Sequence, residues 1–156
     1  LRGCREYAGE ITEQLGDAPP DYLIAACGTG GTLAGIITGL TGRTQAIGLS
    51  VLKGDFLQKE IAMLLDDPAA RNWTVLDDYH FGGYARFRPP LIDFINRFRT
   101  ETGIPLDPIY TGKLFYGVFD LLEKDYFPPG STVVVIHSGG LQGVAGFNER
   151  FGKVIG

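Results

Sequence analysis

The sequence predicts one α/β domain built around a mainly parallel β-sheet. Short runs of apolar, β-branched residues alternate along the chain with longer segments in which apolar residues recur at helical spacing. The length of 156 residues suits a single domain, and neither a repeat nor a linker divides the chain. With 44% apolar and 21% charged residues, the composition is that of an ordinary globular protein, which argues against intrinsic disorder.

The first half of the chain predicts three helices and three strands in alternation. Gly16 and Gly42 are expected to end the first two helices, and Asp55 is expected to cap the third. The short apolar run DYLIAAC is typical of a strand that is buried in a parallel sheet. In chain order, the predicted elements are a helix at 1–15, a strand at 21–27, a helix at 33–40, a strand at 44–52, a helix at 56–67 and a strand at 73–78.

The second half predicts three more helices and one strand. A helix at 89–103 begins with two prolines and stops at a glycine, which is the usual asymmetry of helix ends. Further helices are expected at 113–127 and 144–151. The segment 131–137 is an uninterrupted β-branched run, so it is expected to be a central strand.

Charge and cysteine content bear on the class of protein. Eighteen acidic residues against 14 basic ones give a net charge of −4, so no nucleic-acid partner is expected. No apolar run approaches the ~18 residues that span a membrane, and no targeting segment is visible, so we expect a cytoplasmic protein without a membrane partner. Two cysteines, Cys4 and Cys27, make neither a disulfide framework nor a metal site. The chain opens at Leu1 in what reads as helix interior, so it is expected to begin partway through a larger protein.

Glycine is unusually frequent, at 23 of 156 residues, about twice its ordinary share of ~7%. Two glycine-rich turns, CGTGGT and HSGG, directly follow predicted strands, where ligands of open α/β sheets bind. In the first turn the backbone N–H groups can converge on an anion beside a helix N-terminus, and Thr29 and Thr32 add hydroxyl donors. Residues 28–32 therefore predict a phosphate cradle, with a ligand-free strand-to-helix turn as the alternative. A P-loop is excluded because GxxxxGK[ST] is absent, and a dinucleotide fingerprint fails at Leu33.

Four segments together resemble one family. They are CGTGGTLAG (27–35), HFGGYA (80–85), LDPIYTGK (106–113) and IHSGGLQGVAGF (136–147). They are similar to the pyridoxal-phosphate-dependent group that contains 1-aminocyclopropane-1-carboxylate deaminase and D-cysteine desulfhydrase. The resemblance implies a three-layer sandwich, the larger domain of an enzyme of the tryptophan-synthase-β fold type. It also implies that residues 1–156 are the C-terminal half, without the Schiff-base lysine.

The resemblance assigns site residues. The phosphate of pyridoxal 5′-phosphate is expected at Gly28, Thr29, Gly30, Gly31 and Thr32. Tyr110 and Tyr84 match two active-site tyrosines, although a packing role is the alternative for each. Lys113 is expected to be structural, and His137 is expected to shape a turn rather than to act as a base.

Two positions distinguish the branches of this family. The deaminase branch has a glutamate facing the pyridine nitrogen where this chain has Thr111. The desulfhydrase-like branch has a hydroxyl residue after the strand histidine, and here that residue is Ser138. A neutral hydroxyl beside the nitrogen makes the ring a weaker electron sink than a carboxylate does. Expulsion of a thiolate needs a weaker sink than the opening of a cyclopropane ring, so Ser138 favours the desulfhydrase-like reaction.

We therefore expect a lyase that acts on a small amino acid, with D-cysteine converted to pyruvate, ammonia and sulfide. The alternatives are a 1-aminocyclopropane-1-carboxylate deaminase and a non-catalytic module that binds phosphate or the cofactor. The resemblance also implies a homodimer for the full-length protein.

Overall fold

A computed structural model describes residues 2–16, 18–40 and 43–156, and these ranges contain four strands and six helices. The strands are β1 (Tyr22–Cys27), β2 (Gln45–Ser50), β3 (Trp73–Leu76) and β4 (Val133–Val135). The helices are α1 (Arg2–Gln14), α2 (Gly31–Gly39), α3 (Leu57–Leu64), α4 (Pro89–Thr102), α5 (Thr111–Glu123) and α6 (Gln142–Phe151). None of these helices is long and apolar enough to cross a lipid bilayer.

The four strands form one sheet in the order β3-β2-β1-β4, and every neighbouring pair is parallel. On one face, α2 and α3 bury Leu33, Ile36 and Ile61 against strand residues such as Leu23. On the other face, α5 packs onto β1 and β2, and α4 and α6 share a further apolar cluster. The predicted three-layer α/β fold with a parallel sheet is confirmed.

Several predicted details differ from the structure. Among the described residues, β4 pairs only with β1 and lies at an edge of the four-stranded sheet, so the prediction of a central strand at 131–137 is wrong. The residues of β4 are only half-buried, as is usual for a strand at the edge of a sheet, and β-branched residues favour edge strands as well as central ones. The prediction that Asp55 caps α3 is wrong. Phe56 is at the N-cap position, and no side chain of the described residues caps this helix. Leu1 and Gly42, expected at helix ends, lie outside the described residues.

The sheet register brings the two glycine-rich turns together. Ile24 of β1 is paired with Val135 of β4, and Cys27 is paired with Ser50 of β2. Both turns therefore leave the sheet at its carboxyl edge from neighbouring strands. This is the edge at which open α/β sheets bind their ligands.

Candidate functional site

A cavity of about 330 Å³ lies at the carboxyl edge of the sheet. Its lining contains the whole phosphate cradle (residues 28–32), together with Tyr110, Ser138 and Gln142. Seven of the eight site residues predicted from the sequence thus line one cavity, and Tyr84 stands beside it. The structure brings these residues together, while their roles in binding and catalysis stay predictions.

The phosphate cradle presents backbone donors without partners. Among the residues that the structure describes, no oxygen accepts a hydrogen bond from the N–H groups of residues 28–32. These groups lie just before and within the first turn of α2, where the helix dipole adds partial positive charge. In the part of the chain that the structure describes, no lysine or arginine lines the cavity. An anion bound here would be held by the backbone.

Gly30 fixes the shape of the cradle. Its φ of 79° lies in the left-handed region, and its carbonyl accepts the first hydrogen bond of α2, from the Ala34 N–H at 2.9 Å. A Cβ at this position would stand 2.5 Å from Cγ1 of Ile61, which is fully buried. Glycine is therefore required by both the backbone conformation and the packing of α3.

Tyr110 connects the cradle to the rest of the cavity. Its Cε1 atom would be 3.4 Å from a Cβ on Gly28, and its ring meets that of Tyr84 edge-on at a centroid distance of 6.2 Å. Burial raises the pKa of Tyr110, and the neighbouring Tyr84 raises it further. The Tyr110 hydroxyl therefore keeps its proton at neutral pH and can donate it in a hydrogen bond. The Tyr84 side chain is 57% exposed.

Asp107 organises the backbone that carries Tyr110. Its buried carboxylate accepts hydrogen bonds from the N–H groups of Ile109, Tyr110 and Thr111 at 2.8–2.9 Å. A Cβ on Gly140 would lie 2.9 Å from Oδ1 of Asp107, so the HSGG turn packs directly on this carboxylate. Sequence reasoning missed this role. The available signal was an aspartate shortly before a helix start, where its side chain commonly accepts from backbone donors.

Thr111 does not reach the cavity. Its hydroxyl donates to Oδ1 of Asp107 at 2.7 Å and accepts from the Asp107 N–H at 2.9 Å, and the residue is fully buried. Ser138 is therefore the only one of the two branch-distinguishing residues that lines the cavity among the described residues. A glutamate at position 111 would place a second carboxylate in the buried site of Asp107.

His137 holds the turn in which Ser138 lies. The Gly139 N–H donates to Nδ1 of His137 at 3.2 Å, which leaves the proton on Nε2, and Nε2 donates to the Pro105 carbonyl at 2.8 Å. Both ring nitrogens are thus used by backbone groups. This agrees with the expected turn-shaping role.

Two other candidate groups are not available for chemistry at the cavity. The Lys113 ammonium is buried and bonded to backbone carbonyls, in agreement with the structural role expected for it. Cys27 lines the cavity, but burial raises the pKa of its thiol to about 12, so it is not a nucleophile at neutral pH. Gln142, which sequence reasoning did not single out, contributes the first residue of α6 to the lining.

A parallel α/β sheet with unpaired backbone donors at its carboxyl edge is the arrangement with which α/β proteins bind phosphorylated ligands. The family model of pyridoxal-phosphate dependent enzymes matches residues 1–139. The chain therefore belongs to the pyridoxal-phosphate dependent enzymes, whose cofactor is pyridoxal 5′-phosphate.

Particular relatives confirm the resemblance read from the four motifs. A Pyrococcus horikoshii protein that carries the name of a 1-aminocyclopropane-1-carboxylate deaminase is 36% identical over 95% of this chain and 48% of its own length. The bifunctional D-cysteine desulfhydrase/1-aminocyclopropane-1-carboxylate deaminase of Arabidopsis thaliana is 31% identical over 99% of this chain and 42% of its own length. The chain spans about half the length of the curated relatives it matches.

Two solved structures share the fold. The crystal structure of an ACC deaminase homologue superposes with a TM-score of 0.78 at 30% identity, over 98% of this chain and 49% of the other. Diaminopropionate ammonia lyase from Escherichia coli superposes with a TM-score of 0.52 over 93% of this chain and 40% of the other. At 16% identity, the second likeness shows the fold alone.

The residues present fit pyridoxal 5′-phosphate. The unpaired N–H groups of residues 28–32 suit its phosphate, and the cavity contains a hydroxyl, that of Ser138, which suits a neutral partner of the ring nitrogen.

Proposed function

We propose that this chain forms the phosphate- and ring-binding part of a lyase that removes a β-substituent from a small amino acid, with D-cysteine as the substrate. The overall change consumes one water and yields pyruvate, ammonia and hydrogen sulfide. Bound pyridoxal phosphate supplies an electron sink for the negative charge that develops at Cα. The observation that carries the proposal is that Ser138 lines the cavity while Thr111 is bonded to Asp107.

Each residue of the cavity then has a task that follows from its position. The N–H groups of residues 28–32 hold the phosphate without titrating, so binding does not depend on the ionisation of a lysine. The Ser138 hydroxyl would donate a hydrogen bond to the ring nitrogen without protonating it. The Tyr110 hydroxyl, which keeps its proton at neutral pH and lines the cavity, would donate a hydrogen bond to the substrate or the leaving group.

The Arabidopsis relative supports this substrate, because its name includes D-cysteine desulfhydrase activity. The same name and that of the Pyrococcus protein favour a second candidate, 1-aminocyclopropane-1-carboxylate deaminase. Opening the three-membered ring releases no good leaving group and demands a stronger electron sink, which a carboxylate beside the ring nitrogen would provide. Among the described residues, none that lines the cavity carries a carboxylate. We therefore place D-cysteine first.

The test compares the release of oxo acid and ammonia from D-cysteine and from 1-aminocyclopropane-1-carboxylate by the full-length gene product. We expect the wild type to act faster on D-cysteine. Ser138→Ala should lose about tenfold to a hundredfold in rate while retaining the cofactor, because one hydrogen bond to a reacting group is worth ~1–3 kcal/mol. Faster opening of the cyclopropane ring would establish the second candidate instead.

Ser131→Ala is the matched control. Ser131 precedes β4 at the opposite edge of the sheet, where its hydroxyl donates to the Pro128 carbonyl at 2.7 Å. The control should retain the wild-type rate on both substrates. A Ser138→Ala enzyme as fast as this control would remove Ser138 from the reaction.

A further inference from the structure

Lys113 is, with Asp107, one of the two charged residues that are almost fully buried among the described residues. The side chain is 1% exposed, although it belongs to a residue type that is almost always at the surface. Its Nζ donates to the carbonyls of Gly83 at 2.7 Å and His80 at 2.8 Å, and Val51 lies at 3.5 Å. Three carbonyl oxygens thus meet the three donors of one ammonium group.

Two of these carbonyls belong to the tyrosine loop (residues 80–85), whose backbone is unusual. Phe81 and Ala85 have φ values of 56° and 51°, a region that residues with a Cβ rarely adopt. Gly82 and Gly83, between them, have φ values of 105° and 117°. A loop in such conformations persists only where surrounding contacts determine it, and the bonds from Lys113 are contacts of this kind.

The tyrosine loop and Lys113 meet next to the cavity. The loop places Tyr84 edge-on to Tyr110, and Tyr110 immediately precedes the first turn of α5, which also carries Lys113. One helix end therefore carries both the tyrosine that lines the cavity and the lysine that holds the loop of the second tyrosine. Lys113 itself does not line the cavity.

We propose that Lys113 is a positioning residue: its ammonium holds the tyrosine loop by two carbonyls and so keeps Tyr84 beside Tyr110. The contribution of the two tyrosines to turnover rests on the proposed function. The restraint on the loop does not depend on it, so the two parts can fail separately.

Hydrogen–deuterium exchange measured by mass spectrometry on the full-length gene product tests the restraint. In Lys113→Met, the amides of Gly82, Gly83 and Arg86, which are hydrogen-bonded within or beside the loop, should exchange about tenfold to a hundredfold faster. The strands should exchange as in the wild type. Unchanged exchange in the loop of folded Lys113→Met would overturn the proposal.

Lys59→Met is the matched control, because Lys59 is an exposed lysine of α3, which packs on the opposite face of the sheet from α5. It should leave the loop and the turnover unchanged. Faster loop exchange in this variant as well would mean that the loop responds to the loss of any lysine charge, which contradicts a specific restraint.

A double-mutant comparison tests whether Lys113 acts through Tyr84. If it does, Lys113→Met and Tyr84→Phe should each lower kcat, and the double variant should be no slower than the slower single variant. If the losses in kcat of the two single variants multiply in the double variant, or if Tyr84→Phe does not lower kcat, this part of the proposal is overturned. Should D-cysteine not be a substrate while the loop exchanges faster in Lys113→Met, the proposed function fails and the restraint stands.

If Lys113→Met does not fold, Gly83→Ala tests the same contact, because it alters the loop residue whose carbonyl accepts from Lys113. The φ of 117° at Gly83 disfavours alanine, but an added Cβ would meet nothing closer than 3.6 Å, so only the loop backbone is disturbed. Gly103→Ala is its control, since Gly103 also has a positive φ with open space around it but ends α4. We expect faster loop exchange and a lower kcat only for Gly83→Ala, and equal behaviour of the two would refute the proposal.

Discussion

Replacing Gly31 with alanine would narrow the phosphate cradle without disturbing the helix that carries it. Gly31 is the first residue of α2 and lines the cavity, and an added Cβ would meet no atom within 4 Å. Helical Cα–Cβ bonds tilt towards the N-terminus, so the methyl group points to the side where the free N–H groups converge. The φ angle of Gly31 is not positive, so alanine can adopt the same backbone conformation without strain.

The expected loss can be worked from the hydrogen bonds at stake. A charge-assisted hydrogen bond contributes about 1.5–3 kcal/mol, and displacing one phosphate oxygen from the cradle should weaken binding of pyridoxal 5′-phosphate about tenfold to a hundredfold. Stability should not fall, because alanine is favoured over glycine in helices by up to about 1 kcal/mol. Gly31→Ala should therefore lower the affinity for pyridoxal 5′-phosphate without lowering the free energy of unfolding.

Isothermal titration of the full-length gene product with pyridoxal 5′-phosphate and with pyridoxal measures this effect. Only the phosphorylated ligand should lose affinity. Gly9→Ala is the control, since Gly9 lies in α1, away from the cavity lining, with equally open space around it. Unchanged affinity of Gly31→Ala for pyridoxal 5′-phosphate, or an equal loss for both ligands, would refute the assignment of the cradle to phosphate.

Two further predictions concern pH. Hydrogen bonds from Lys124 and from Tyr79 lower the pKa of Asp120. The contribution of Asp120 to stability is therefore present at neutral pH and is lost as the pH falls through the pKa of the folded state. Urea unfolding should show Asp120→Asn about 1 kcal/mol less stable than wild type near pH 7, with no difference once the carboxyl is protonated. A difference that persists in acid would contradict this. Burial lowers the pKa of Lys113 from 10.5 to about 8, although Asp107 opposes the shift, so the unfolded chain binds more protons between these values. The free energy of unfolding of the wild type relative to Lys113→Met should therefore rise from about pH 8 to about pH 10, and a flat difference over that range would count against the lowered pKa.

The sequence by itself determined the class of fold and most of the cavity. Alternating apolar runs and helical periodicities predicted the α/β architecture, because burial against a sheet and burial on one helix face leave different spacings in a sequence. The glycine turns after residues 27 and 137 predicted the carboxyl edge as the binding edge, since parallel strands end on the same side. These are local patterns, and local patterns can be read without coordinates.

Only the tertiary structure decided which of the adjacent side chains reach the cavity. Tyr110 and Thr111 are neighbours in sequence, yet one lines the cavity and the other is bonded to Asp107. The requirement for glycine at position 30 likewise comes in part from Ile61, which is 31 residues away in the chain.

The position of β4 at the sheet edge and the enclosure of Lys113 by carbonyls also depend on segments that are remote in sequence. Such contacts are set by packing between distant elements, and no periodicity of the chain records them.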